Sequence, residues 1–319
     1  MIVSLVLLIV GFVLLIKGAD LFVDGASSTA SNFKVPKMLI GLTIVAFGTS
    51  APEFAVSMQA LSKHSTDMVL GNVIGSNILN ILFVLGIAAI IAPIGIKSNT
   101  IKKELPISLL ISTLLAVLML DIKLNNSTIN QITRSDAIVI LLFFTIFLYY
   151  LINMAKKDHN KDEEIVEKPK YGMLRSLLYV GLGLAGIIIG SDFVVKHASN
   201  IAETIGISER VISLTIIALG TSLPELVTTI VSANKGEQDL LLGNLIGSNI
   251  FNICVVLGIP VAIFGTITPK SFTTLDLIAL VGSALLLFIF AVTKKTINRV
   301  EGLLMFIGFL VYYTLIFFI

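Results

Sequence analysis

Ten long apolar runs divide this sequence, and they constrain its fold more than any other feature. They lie near residues 2–24, 37–61, 68–92, 105–121, 135–155, 172–196, 209–233, 239–264, 273–293 and 298–318. A helix needs roughly 20 apolar residues to cross a bilayer, whereas barrel strands show short alternating patterns that these runs lack. With 56% hydrophobic and only 13% charged residues, the chain also has too little polar surface to enclose a soluble core. The sequence therefore predicts an all-α polytopic membrane protein with ten transmembrane helices.

An internal duplication is the second constraint. A shift of 172 positions aligns residues 41–87 with residues 213–259 without a gap, and 25 of the 47 aligned residues are identical. Shared apolar composition does not place Gly, Pro, Glu, Asn and Ser in register, so the match indicates a duplicated unit. Each copy has five predicted spans, an odd number, so the second copy enters the membrane in the opposite orientation. We expect a first five-helix repeat in 1–155, a linker in 156–171 and an inverted second repeat in 172–319.

Each copy interrupts one apolar run with the same polar motif. Residues 48–53 read GTSAPE and residues 220–225 read GTSLPE. A proline lacks the N–H group, and its ring clashes with the carbonyl four residues earlier, so Pro52 and Pro224 should break their helices. The carbonyl of the motif glycine is then freed, and a freed carbonyl in hydrocarbon is costly unless something binds it. We expect a cation to do so.

The two motifs also supply side-chain oxygens. Glu53 and Glu225 are the carboxylates nearest the centres of the predicted spans, with no Lys or Arg at comparable depth. An unpaired ionised acid there costs at least about 2.5 kcal/mol. The motifs add four hydroxyls, those of Thr49, Ser50, Thr221 and Ser222. Na⁺ and Ca²⁺ prefer such all-oxygen ligand sets, and two carboxylates are balanced by one Ca²⁺, two Na⁺ or two protons. The residues alone thus predict a cation antiporter.

A partner segment follows each motif. Residues 71–80 read GNVIGSNILN and residues 243–252 read GNLIGSNIFN. Polar residues recur there at every fourth position and so share one helix face: Asn72, Ser76 and Asn80 in the first copy, Asn244, Ser248 and Asn252 in the second. The glycines have the small-xxx-small spacing that lets helices approach closely: Gly71 and Gly75, Gly243 and Gly247. We interpret these glycines as packing positions.

Together, the doubled motifs and partner segments resemble the alpha repeats of the sodium/calcium exchanger family, a branch of the calcium/cation antiporter superfamily. The resemblance covers essentially the whole chain and implies Na⁺/Ca²⁺ antiport without a cofactor. It implies alternating access, in which the first and sixth helices slide across the rest. By the same resemblance, Ca²⁺ is held by Glu53, Glu225 and the carbonyls of Thr49 and Thr221. The implied sodium ligands are the Ala46 carbonyl, Thr49, Ser50, Glu53 and Ser76, then the Ala218 carbonyl, Thr221, Ser222, Glu225 and Ser248, with Asn80 and Asn252 completing the middle.

Several other functions stay open or are disfavoured. Some relatives, including the potassium-dependent ones, resemble this pattern but carry Asp at the position of Asn252, so the asparagine argues against K⁺ co-transport. An H⁺/Ca²⁺ antiporter on the same fold is the alternative. A cation channel could place two acids at a constriction, but inverted repeats suit alternating access better. An enzyme is not predicted, because His64, His159 and His197 all lie in or next to connections.

Lysine and arginine predict the orientation. With ten spans, fifteen of these residues fall on one face and five on the other. The positive-inside rule then places both termini outside the cell membrane and the 156–171 linker in the cytoplasm. The linker is too short to fold as a calcium sensor. We expect Na⁺, Ca²⁺ and the lipid bilayer as partners, and neither nucleic acid nor an obligate protein partner. The one cysteine, Cys254, excludes an intramolecular disulfide.

Overall fold

Helices account for most of the chain. The computed structural model describes residues 2–124, 126–158, 169–206, 218–269 and 274–318. Most of the expected linker (residues 159–168) and the beginning of the expected seventh span (residues 209–217) lie outside this part of the chain.

The described helices are numbered in chain order. Those preceding the linker are α1 (Ile2–Phe33), α2 (Lys37–Thr49), α3 (Ala51–Ser62), α4 (Thr66–Ile91), α5 (Ser98–Lys102), α6 (Glu104–Leu118), α7 (Asp121–Leu124) and α8 (Arg134–Asp158). Those following it are α9 (Met173–Thr204), α10 (Ala218–Gly220), α11 (Leu223–Asn234), α12 (Gln238–Phe264), α13 (Thr274–Lys294) and α14 (Arg299–Phe318). Two short antiparallel strands, β1 (Ile94–Gly95) and β2 (Thr296–Ile297), join two of the connections.

The prediction of a mostly helical, polytopic membrane protein is confirmed. Seven of the described helices are long and apolar enough to cross a membrane, and α2 with α3 forms an eighth candidate that is bent by 46°. The helix α6, with 15 residues, is shorter than the roughly 20 residues that a full crossing needs. The seventh predicted span is described only from residue 218 onward. The count of ten spans therefore stays a prediction.

The chain divides into two compact units. The first unit comprises residues 1–52 and 157–244, and the second comprises residues 53–156 and 245–319. Each unit thus contains helices from both sequence repeats. The boundaries of the compact units therefore differ from those of the duplicated sequence units. The repeat bounds themselves stay a prediction from the sequence.

Within the first unit, α1 and α9 pack backbone to backbone. A Cβ atom added to Gly18 would lie 2.8 Å from the Ile187 nitrogen, and one added to Gly183 would lie 2.5 Å from the Phe22 nitrogen. Only glycine leaves room for such an approach, which small residues permit between membrane helices. Fully buried apolar side chains surround the contact, among them Phe22 and Ile187. The two helices therefore form one tightly packed pair.

Two acids that the sequence analysis did not single out are buried in the second unit. Glu104, in the first turn of α6, is 1% exposed and accepts a hydrogen bond from the Tyr150 hydroxyl. Asp276, in the first turn of α13, is 8% exposed and accepts one from the Tyr312 hydroxyl at 3.0 Å. The 172-residue shift aligns Glu104 with Asp276. Both acids lie near the beginning of a predicted span. Each is buried together with the hydroxyl of a tyrosine that is distant in the sequence and donates a hydrogen bond to it.

Candidate functional site

Both polar motifs break their helix at the serine. The helix α2 ends at Thr49 and α3 begins at Ala51, with Ser50 between them at φ −87° and ψ 6°. Ser222, which precedes α11, has nearly the same backbone angles, φ −92° and ψ 6°. The break expected from Pro52 is therefore present, and it lies two residues before the proline. A proline disturbs the turn before it and is itself tolerated in the first turn of the next helix.

Ser50 joins the two motifs within the first unit. Its hydroxyl donates a hydrogen bond to Oε1 of Glu225 at 3.0 Å. Ser50 is fully buried and Glu225 is 1% exposed. A hydrogen bond to a carboxylate is charge-assisted and about twice as strong as a neutral one. The contact therefore brings a ligand candidate of the first repeat onto the glutamate of the second.

Thr49 connects the first motif to the second partner segment. Its hydroxyl donates to Oδ1 of Asn244 at 3.1 Å, and both side chains are buried. The Ala46 carbonyl, one turn earlier, accepts the main-chain N–H of Ser50 at 3.0 Å. Thr221, the counterpart of Thr49, is only partly buried. The two repeats therefore present their threonines differently in this conformation.

The carbonyl that Pro224 frees already has a donor. Ser191 on α9 donates its hydroxyl to the Gly220 carbonyl at 2.9 Å. The carbonyl thus accepts one hydrogen bond and keeps a second lone pair, so its binding of a cation stays a prediction. Ala19 stands at the equivalent position of α1 and carries no hydroxyl. Sequence analysis missed Ser191, since the contact joins two different helices.

We expect Ser191→Ala to destabilise the protein. The substitution leaves the Gly220 carbonyl buried without this donor, which costs about 1–3 kcal/mol. Ser112→Ala is the matched control, because the Ser112 hydroxyl donates to the Ser108 carbonyl of its own helix at 3.0 Å. That carbonyl is in the interior of α6, where a main-chain N–H also serves it. Thermal unfolding of both purified variants measures the difference, and equal melting temperatures would contradict the expectation.

Charged side chains of the first unit meet where α11 ends, beside the second half of α1. Lys235 contacts Asp20 at 2.6 Å and Asp24 at 2.8 Å, and Lys170 contacts Asp24 at 2.6 Å. The hydrogen bond to Asp24 raises the pKa of Lys170 above its ordinary value. A second ion pair joins Lys37 and Glu237 at 2.9 Å. This end of the unit therefore carries three carboxylates beside the loop that follows α11.

In the second unit, Asn72 ties α4 to the beginning of α3. Its Nδ2 donates to the main-chain oxygen of Glu53 and to the Ser57 hydroxyl, both at 2.9 Å. Glu53 is 1% exposed and Ser57 is fully buried. These two contacts attach the beginning of α3 to α4, and they therefore fix the position of the Glu53 main chain.

Asn80 meets the second partner segment within the second unit. Its Nδ2 donates to Oδ1 of Asn249 at 3.1 Å, and both side chains are at most 2% exposed. In the described part of the chain, Oδ1 of Asn80 has no hydrogen-bond partner. Asn249 therefore sets the amide so that its oxygen points elsewhere. The sequence signal for Asn249 was the repeated GSNI, in which it corresponds to Asn77.

Asn80 and Asn252 occupy equivalent π-helical segments. These run over Leu79–Leu85 in α4 and Asn252–Leu257 in α12. Such turns are rare and frequently occur at functional sites. Asn252 is fully buried, and among the described residues neither of its amide atoms has a hydrogen-bond partner. Ser76 and Ser248, one turn before the asparagines, are also buried.

The glycine prediction holds in one partner segment and fails in the other. A Cβ atom on Gly243 would lie 2.6 Å from the Met38 carbonyl oxygen, so close packing is confirmed there. A Cβ atom on Gly75 would meet nothing within 4 Å, and Gly71 is exposed. Packing is therefore the wrong interpretation of Gly75. Glycines at this spacing permit another helix to approach closely, but they do not ensure that a helix lies there.

The twelve predicted ligand positions are divided between the units. Those in the first unit are Ala46, Thr49, Ser50, Ala218, Thr221, Ser222 and Glu225; those in the second are Glu53, Ser76, Asn80, Ser248 and Asn252. Their donor atoms are carboxylate, hydroxyl, amide and carbonyl oxygens. Among the described residues, no group of three or more His, Cys, Asp or Glu could hold a metal ion. Oxygen ligands of these kinds are those that hard cations such as Na⁺ and Ca²⁺ prefer.

Comparisons with known proteins match nearly the full length of the chain. A family model described as sodium/calcium exchanger protein matches residues 3–153 and 175–318. The sodium/calcium exchanger MaX1 of Methanosarcina acetivorans is 30% identical over 328 residues, covering 92% of this chain and 93% of MaX1. The inner membrane protein YrbG of Escherichia coli is 36% identical over 281 residues, covering 86% of this chain and 84% of YrbG. A solved structure of the sodium-calcium exchanger NCX_Mj aligns with a TM-score of 0.83 and 33% identity over 97% of both chains.

Proposed function

This chain belongs to the sodium/calcium exchanger protein family, and from that premise we propose that it moves Ca²⁺ across the membrane in exchange for Na⁺. Membership makes it a membrane antiporter for Ca²⁺ and another cation rather than an enzyme. Na⁺ as the driving ion and the residues that hold the ions are the proposed parts. The MaX1 relative, named a sodium/calcium exchanger, supports sodium over the H⁺ alternative.

The observation that carries the proposal is the hydrogen bond from Ser50 to Glu225. It joins the broken-helix motif of one repeat to the glutamate of the other, inside a fully buried environment. A buried acid in a membrane protein is costly and is a functional-site hypothesis by default. A hydroxyl is a suitable neighbour, because it can rotate to direct its lone pairs at an arriving cation.

The proposed ligands are the twelve positions implied by the motifs. Ca²⁺ is bound by Glu53, Glu225 and the carbonyls of Thr49 and Thr221. Na⁺ shares the two glutamates with Ca²⁺. It is bound by the Ala46 carbonyl, Thr49, Ser50, Glu53 and Ser76 on one side and by the Ala218 carbonyl, Thr221, Ser222, Glu225 and Ser248 on the other, and Asn80 and Asn252 complete the middle. The oriented Oδ1 of Asn80 and the unpartnered amide of Asn252, both within the described residues, support this set.

The charge of the two carboxylates explains why Na⁺ and Ca²⁺ occupy such a site alternately rather than together. Two carboxylates carry about two negative charges, which one Ca²⁺ or two Na⁺ neutralise, and adjacent like charges disfavour an empty ionised site. Asparagine at positions 80 and 252 adds oxygen without a further charge. Occupation by one kind of ion therefore excludes the other, as antiport requires.

Alternating access is proposed to involve α1 and α9. Their glycines let the two backbones touch, as at Gly18 and Gly183, so the pair can move as a single body. The hydrogen bond from Ser191 to Gly220 then attaches this body to the broken helix that carries Glu225. We place the protein in the cell membrane with both termini outside and the 156–171 linker in the cytoplasm, supported by the bias of lysine and arginine.

A gradient experiment tests the driving ion. Proteoliposomes loaded with Na⁺, with choline, or with choline and an acidic interior are diluted into radiolabelled Ca²⁺. The proposal requires Ca²⁺ uptake only from the Na⁺-loaded vesicles, with the pH held equal on both sides. Uptake that follows the pH gradient and ignores Na⁺ would instead establish an H⁺/Ca²⁺ antiporter.

A further inference from the structure

The helix α11 has two unlike faces within the first unit. Leu223, Val227 and Val231 pack against the apolar core that α1 contributes. On the other side of the helix lie Glu225, Thr228, Thr229 and Ser232, which recur at three- and four-residue spacing. All four are at most 1% exposed. The hydroxyl stripe, defined as Thr228, Thr229 and Ser232, therefore continues from the proposed ion ligand Glu225 on one buried face.

The hydrogen bonding of the hydroxyl stripe is unusual in the part of the chain that the structure describes. Among the described residues, the side-chain oxygens of Thr228, Thr229 and Ser232 are buried without one. Each such group costs about 1–3 kcal/mol, and native structures keep few of them. Helical hydroxyls usually avoid this cost by donating to their own backbone, as Thr29 does to the Gly25 carbonyl at 2.7 Å. Three hydroxyls on one buried helix face without such a bond have oxygens that can contact water or a cation.

The first repeat has no such stripe. The 172-residue shift places Val56, Ser57 and Ala60 at the three equivalent positions of α3. The single hydroxyl there, that of Ser57, accepts a hydrogen bond from Asn72 at 2.9 Å. The hydroxyl stripe is thus a property of the second repeat, and general helix packing does not require it.

The stripe leads from Glu225 to the charged end of the first unit. Seven residues of helix separate Glu225 from Ser232, a rise of about 10 Å. The helix ends at Asn234, directly before Lys235 and Glu237. Lys235 contacts Asp20 and Asp24 there. Hydroxyl oxygens thus run from the glutamate toward an end of the unit where three carboxylates are paired with three lysines.

We propose that the hydroxyl stripe lines a hydrated path by which the transported cations travel between Glu225 and the membrane face that carries Lys235. Its oxygens replace part of the water shell of a passing Na⁺ or Ca²⁺. The identity of the ions rests on the proposed function, whereas the path itself rests on the buried hydroxyls. By the predicted orientation, this face is cytoplasmic.

Cysteine accessibility tests the path. Ser232→Cys and Thr229→Cys are treated with a membrane-impermeant thiol reagent from either face, beside Val231→Cys on the apolar face and Ala60→Cys in the first repeat. Wild type gives the background, because its Cys254 is buried. We expect the two stripe thiols to react at least about tenfold faster than both controls, since reactivity follows exposure of the thiolate. Reaction should occur from the Lys235 face and slow when Ca²⁺ is added.

The outcomes separate the path from the driving ion. Stripe thiols that stay as unreactive as Val231→Cys from both faces, in Na⁺ and in Ca²⁺, would overturn the path even if wild type exchanges Na⁺ for Ca²⁺. Reactive stripe thiols in a protein whose Ca²⁺ uptake ignores Na⁺ would leave the path standing and overturn the sodium assignment. Ser232→Ala, which removes one oxygen and little volume, should lower the uptake rate several-fold while equilibrium Ca²⁺ binding is unchanged.

Discussion

Glu53→Gln and Glu225→Gln should each reduce Na⁺-driven Ca²⁺ uptake at least about 100-fold, a difference of roughly 2.7 kcal/mol. Glutamine keeps the size of the side chain and an oxygen that accepts the Ser50 hydrogen bond, so the fold should survive. It removes one of the two charges that balance Ca²⁺, and a desolvated divalent ion beside one carboxylate is left half neutralised. Initial uptake rates into Na⁺-loaded proteoliposomes measure the loss.

Glu104→Gln is the matched control for both replacements. Glu104 is as deeply buried as Glu53 and Glu225, at 1% exposure, and it accepts a hydrogen bond from Tyr150 that glutamine can also accept. It lies outside the polar motifs, so we expect its uptake rate to stay within about twofold of wild type. If the uptake rate of Glu104→Gln fell as far as that of the motif variants, the loss would reflect the removal of any buried carboxylate rather than of an ion ligand. Full uptake in Glu53→Gln would remove that glutamate from the site.

Gly183→Ala and Gly181→Ala should change stability in opposite directions, although the two glycines lie on one helix. An added Cβ at Gly183 would lie 2.5 Å from the main-chain nitrogen of Phe22, which cannot move without shifting α1. Overpacking of this kind costs about 3 kcal/mol or more. At Gly181 an added Cβ would meet nothing within 4 Å. There, alanine should stabilise the helix by up to about 1 kcal/mol, because it restricts the unfolded backbone.

Thermal unfolding in detergent and the yield of monodisperse protein measure both glycine variants. We expect Gly183→Ala to melt well below wild type or to fail to accumulate, and Gly181→Ala to melt at or above wild type. Equal melting temperatures would contradict the backbone contact of α1 with α9, on which their movement as one body depends.

The broad class of the fold could be predicted from the sequence, because it depends on local patterns, whereas the ligands of the site stay a prediction. Apolar runs of membrane length indicate helices, and the doubled GTS-x-PE motif places Glu53 and Glu225 in broken ones. The family resemblance that these motifs carry is confirmed by the match of the family model. The backbone angles of Ser50 and Ser222 further agree with the duplication.

Features that depend on contacts between distant helices could not be predicted in the same way. The Ser191 hydroxyl donates a hydrogen bond to the Gly220 carbonyl, for which the sequence predicted only a cation. Asn249 orients Asn80 across two partner segments that are separated by 169 residues. The π-helical segments at Asn80 and Asn252 could not be predicted either, because the apolar periodicity around them resembles that of an ordinary helix.

The most direct test of the account follows both ions in the same vesicles. Proteoliposomes loaded with radiolabelled Na⁺ at clamped pH receive labelled Ca²⁺ outside, and the loss of one ion and the gain of the other are counted together. We expect Na⁺ to leave only when Ca²⁺ is supplied, the two fluxes to keep a constant ratio, and both to stop in Glu225→Gln. Entry of Ca²⁺ while the Na⁺ content stays constant would contradict sodium/calcium exchange at a shared site.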